Sequence, residues 1–130
     1  MSETEKITIN LGLVDLGQVD LLVQEGFYSN RTDFIRTAIR NQLGTHAEEV
    51  RQTVARKTLV LGLQHYTRRD LEAVREAGEM LEIRVLGLAS IDDDVDPELA
   101  LATIGSVIVL GALRASPAIK SALKDRIQSP

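Results

Sequence analysis

The chain has 130 residues, 44% of them hydrophobic and 26% charged, with nine Gly, three Pro and no Cys. That profile fits a water-soluble globular protein of one ordinary domain or two small ones, and it excludes disulfides, zinc–thiolate sites and a cysteine nucleophile. The formal net charge of −4 argues, taken alone, against a nucleic-acid binder, whose footprint is usually basic.

In chain order, Met1 to Lys6 is polar and acidic, with no apolar run that would make a signal peptide. Lys6-Ile7-Thr8-Ile9-Asn10-Leu11 then alternates polar and apolar residues strictly. The alternation predicts a half-buried strand, with Ile7, Ile9 and Leu11 on one face and Lys6, Thr8 and Asn10 on the other. From about Val14 to Glu25, Leu16, Val19, Leu22 and Val23 form one helical stripe. Gly17 weakens that helix by roughly 1 kcal/mol relative to Ala, and Gly26 is placed to end it in a left-handed turn. Ser29 or Asn30 caps a second helix whose stripe is Phe34, Ile35, Ala38, Ile39 and Leu43. Arg36 and Arg40 share its solvated face. Gly44 is expected to stop it, and Thr45 with Glu48 to cap a third, polar, connecting helix that runs to about Lys57.

The second half has its own rhythm. Leu59–Leu63, Ile83–Leu88 and Val107–Ala112 are short apolar strands, each carrying Leu-Gly, at offsets of 25 and 24 residues. A cap and a helical pattern follow each strand: Thr67 before Arg68, Asp96 before Pro97, and Ser116 before Pro117. The pattern predicts a three-unit, solenoid-like βα repeat with parallel strands and right-handed crossovers. The expected fold class is therefore α+β. The expected division is 1–44, a connecting helix at 45–57, and the repeat at 58–130. The longest apolar stretch, around Val107 to Leu113, is too short to span a bilayer.

Residues 5–43 resemble the ribbon-helix-helix DNA-binding family, the CopG-like group typified by Arc and MetJ. The match rests on the alternating strand, the helix at 14–25, Gly26-Phe27-Tyr28-Ser29-Asn30-Arg31-Thr32-Asp33, and Phe34-Ile35-Arg36-Thr37-Ala38-Ile39. Departures are Gly12-Leu13, where many members carry Pro, and Gly17. The charge split is compatible: residues 1–57 carry seven Lys/Arg and eight Asp/Glu, against eight and eleven in the rest. The resemblance implies an intertwined homodimer, N-terminal strands paired into an antiparallel ribbon, and a ribbon seated in the major groove of double-stranded DNA. Lys6, Thr8 and Asn10 then contact bases, and Ser29, Asn30 and Arg31 contact phosphate. No family is identified for the C-terminal half.

Physics leads the same way, because one strand and two helices bury too little surface alone and leave two strand edges unpaired. The expected function is a cytoplasmic, sequence-specific transcriptional repressor, with a C-terminal half for oligomerisation, partner binding or effector sensing, and with higher oligomers built through it. Two alternatives belong to other classes: an antitoxin-like autoregulator that grips a toxin through its C-terminal half, and a structural assembly protein. No enzyme, cofactor or metal is expected. Asp92, Asp94 and Asp96 have calcium-loop spacing, but Pro97 and Thr103 stand where Gly and Glu are needed. His46 and His65 read as surface or cap residues, and the Leu-Gly pairs belong to no phosphate-loop pattern.

Overall fold

A computed structural model describes residues 4–128. Its contacts divide into two units, one reaching to Thr53 and the other beginning at Val54, so the boundary falls inside a helix at Ala47–Arg56.

In the first unit an extended segment leads into α1 (Leu13–Gln24) and α2 (Arg31–Thr45). The turn between them is a Schellman motif. Gly26 takes a left-handed φ of 84°, its N–H donates to Val23 O, and Phe27 N–H donates to Leu22 O. Asn30 caps α2, its Oδ1 accepting from Asp33 N–H at 2.8 Å, and Tyr28 packs edge-on to Phe34 at 5.0 Å. Gly44 does not stop α2. It has no left-handed φ, and the helix runs on to Thr45, whose hydroxyl donates back to Asn41 O at 3.2 Å. Thr45 therefore opens no capping box. His46 is the C-terminal cap of α2, and Glu48 of α3 (Ala47–Arg56) accepts from Arg51 and Gln52 instead. Those donors hold the Glu48 carboxyl below its ordinary range.

The second unit runs β1 (Val60–Tyr66), α4 (Arg68–Glu76), β2 (Leu81–Ile91), α5 (Pro97–Thr103), β3 (Ile104–Arg114), α6 (Pro117–Ala122), a 3-10 turn and β4 (Ile127–Gln128). The four strands form one parallel sheet in chain order. The expected three strands are thus four, and the first three are longer than the apolar cores that announced them. All three expected caps form. Thr67 and Asp70 make a reciprocal capping box, Asp96 accepts from Leu99 N–H, and Ser116 accepts from Ile119 N–H. The backbone and hydroxyl of Thr67 keep the Asp70 carboxyl low.

The core lies on one face of the sheet. Leu71 of α4, Leu99 and Ala100 of α5 and Ile119 of α6 pack against Ile83, Val85, Ala89 and Ile91 of β2 and Val107 of β3. In β2 these are the odd positions, as a period of two requires. Arg126 closes the end of the unit, donating to Leu101 O and Ile104 O.

A column of glycines crosses this sheet. Gly62 pairs with Gly87 and Gly87 with Gly111, all at positive φ. A Cβ on Gly87 would sit 2.1 Å from Gly62 O, and one on Gly111 2.1 Å from Gly87 O. The Leu-Gly pairs are therefore points of close backbone approach.

Two glycine substitutions should move stability in opposite directions. Gly87→Ala forces a clash and a disfavoured φ together, and should cost on the order of 3 kcal/mol or prevent folding. Gly17 lies inside α1 with nothing within 4 Å of a Cβ, so Gly17→Ala should add about 0.5–1 kcal/mol. Urea unfolding of the two variants against the parent measures both.

Candidate nucleic-acid interface

Residues 6–11 are extended but join no sheet within the chain. The expected alternation holds in part. Ile9 and Leu11 turn toward the helices, while Lys6, Thr8 and Asn10 are exposed. Ile7, however, is 74% exposed. Beneath the segment opens an apolar cavity of about 450 Å³, lined among others by Ile9, Leu11, Val19, Leu22, Phe34 and Ile35. Val19 is the only fully buried side chain among the described residues of this unit. Ile39 and Leu43, assigned to the apolar stripe of α2, are exposed. The sequence supplies a core, and a single chain leaves it open.

The mouth of α2 brings Ser29, Asn30 and Arg31 together, and each already has an internal role. Ser29 N–H donates to Asp33 Oδ2 at 2.9 Å, while the Asn30 side chain holds Asp33 N–H. Arg31 grips Asp20 of α1 with two hydrogen bonds, Nε to Oδ1 at 2.7 Å and Nη2 to Oδ2 at 2.8 Å. This fork holds the Asp20 carboxyl below its ordinary range and raises Arg31. The Asp33 carboxylate also lies at the positive end of the helix, which it complements. An incoming phosphate there meets one paired cation and one carboxylate, beside the backbone N–H groups of the first turn. Arg36 and Arg40, one helical turn apart, are exposed.

The second unit gathers a cluster that motif reading passed over. His65 Nδ1 lies 2.6 Å from Ser90 Oγ, and His65 Nε2 lies 2.7 Å from Asp92 Oδ1. The three sit at the carboxyl ends of β1 and β2, beside Arg114 and Lys120, around a cavity of about 280 Å³. A signal for it was present: His65 and Ser90 are 25 residues apart, the offset of the Leu-Gly pairs, so they are register partners. Asp92 joins His65, and among the described residues no group of three His, Asp or Glu side chains gathers to hold a metal ion. Nor is any described helix long and apolar enough to cross a membrane.

Comparison with known protein families matches residues 2–120 to the ribbon-helix-helix transcriptional regulator family. The match extends far past the 5–43 segment and includes the βα repeat, for which no family was expected. No curated protein and no solved structure matches the chain. A capped pair of helices beneath an alternating segment, continuous with the repeat through residue 120, belongs to the ribbon-helix-helix transcriptional regulator family.

Proposed function

We propose that the protein is a sequence-specific DNA-binding repressor that acts in the cytoplasm as a homodimer. The observation that carries this reading is the extended segment 6–11, unpaired within its chain above an open apolar cavity. A second copy supplies what is missing. Two such segments pair antiparallel across a two-fold axis, and two helices from each copy close a shared core. Folding and association are then one process, with stability tied to protomer concentration.

The paired segments present Lys6, Thr8 and Asn10 from each copy on one side. A two-stranded ribbon of that width enters the major groove of double-stranded DNA. Lys6 donates to guanine O6 or N7, Asn10 pairs with the adenine edge, and Thr8 bonds a base or touches a thymine methyl. Ser29, Asn30 and Arg31 set register against the phosphate backbone, with Arg31 exchanging or sharing its Asp20 partner to do so. The repeat half is assigned to assembly rather than catalysis. Its regular caps and sealed helical face favour this over an antitoxin-like tail, which is often disordered before it meets its toxin.

Two measurements test the assignment. In the Lys6→Ala/Thr8→Ala/Asn10→Ala variant, sequence-specific binding to sites selected from random duplex DNA should disappear, at about 1–3 kcal/mol per lost base contact. Light scattering should still show a dimer; undiminished specific binding would remove these residues from the interface. In Asp20→Asn, Arg31 loses its carboxylate, so affinity for duplex DNA should rise. Log K against log salt should steepen by roughly 0.9 per phosphate newly engaged. An unchanged salt slope would place Arg31 away from the backbone.

A further inference from the structure

The helices of the second unit cover one face of its sheet. The other face carries the even positions of β2 and β3 and the odd positions of β1. In register, Leu61, Leu86 and Leu110 form one row and Leu63, Leu88 and Ala112 the next. Leu61 is 67% and Leu63 55% exposed, and the other four are half-buried only by one another and the strands beside them. No charged side chain interrupts these two rows. Ionisable groups flank them, with Arg84 beyond one end and His65 and Arg114 beyond the other. Parallel sheets occur almost only with both faces covered, because each face is otherwise a continuous apolar surface in water.

Resting on the dimer proposed above, we propose that this face is a second interface between copies of the chain: the two sheets pack face to face. Three observations select that occupant. The face is small. Three strands about 4.8 Å apart and some six residues long give a footprint on the order of 300 Å², whereas a stable free-standing interface needs roughly 800 Å² on each partner. Such a patch holds only a partner that another contact has already delivered. N-terminal pairing delivers one, because a tethered second copy is present at an effective concentration in the millimolar range. Finally, an uncharged apolar patch can face its own copy across a two-fold axis without opposing like charges. The result is a sheet-on-sheet sandwich with layers about 10 Å apart.

The test uses the full chain, which has no native cysteine. Leu88→Cys places one thiol on the central strand of the face. A bis-maleimide spanning about 10 Å, the separation of packed sheets, should convert most of the protein to a covalent dimer at low micromolar concentration. Adding Leu61→Arg and Leu63→Arg should abolish the cross-link while light scattering still reports a dimer. Arg69→Cys, exposed on α4 on the helical side, should give no covalent dimer. If Leu88→Cys does not fold by circular dichroism, Leu63→Cys, already more than half exposed, replaces it.

A thiol that reacts freely with a mono-functional maleimide and forms no covalent dimer means an open face and overturns the inference. A protected thiol with no covalent dimer means that something else covers the face, and overturns it equally. A dimeric mass in either case leaves the N-terminal pairing standing, whereas a monomeric mass removes both.

Discussion

An extended backbone in water has two edges of unpaired N–H and C=O groups, and an alternating one also bares an apolar row. Neither deficit is repaired inside a single copy of this chain. Residues 6–11 lie over two helices that bury one side chain fully between them. Everything else in the N-terminal unit serves to hold this incomplete core in a fixed shape. The Schellman turn at Gly26 sets the angle between the helices, Asn30 starts the second one, and the Arg31–Asp20 fork ties its first turn to α1. What is rigid is the frame, and what is unfinished is the surface that a second copy completes. Exposed ion pairs contribute little stability individually, so the fork matters chiefly for where it holds a guanidinium.

The same guanidinium shows how local folding and function compete for one side chain. Arg31 is well placed for a phosphate, but its charge is balanced by Asp20, and Asp33 occupies the positive end of its helix. Non-specific affinity scales with the phosphates neutralised. A mouth so compensated keeps that background low and shifts discrimination onto the polar side of the ribbon. A net charge of −4 works in the same direction, by repelling DNA at long range.

The fold was legible wherever a local rule acts alone. The caps at Asn30, Thr67, Asp96 and Ser116 are short-range hydrogen-bond devices, and each forms as its residue type dictates. The three long strands announced themselves through apolar runs. Where rules compete, reading by residue type failed. Gly44 and Thr45 look like a stop and a start, but neither glycine nor threonine forbids a helix, and the chain runs through both. β4, two residues long, carries no periodicity and exists because β3 offers it an edge. The Asp20–Arg31 fork spans two helices, and its partners follow from the angle of the turn rather than from any spacing. For the candidate interface, the alternation of residues 6–11 was plain, while the occupied state of the α2 mouth was not. Occupancy depends on which neighbours reach a group first, and that is decided by tertiary geometry.

The stacked glycines also set a rule for how this sheet can grow or shrink. Each sits against the carbonyl of the glycine before it, 25 residues back and then 24. An insertion of a few residues between two of them would either be absorbed in a loop or throw a side chain into a neighbouring backbone. Loss or gain of one whole strand-and-helix segment keeps the column intact. Length variation in this half of the molecule is therefore quantised, in steps of about two dozen residues, with shorter changes confined to the helix-to-strand connections.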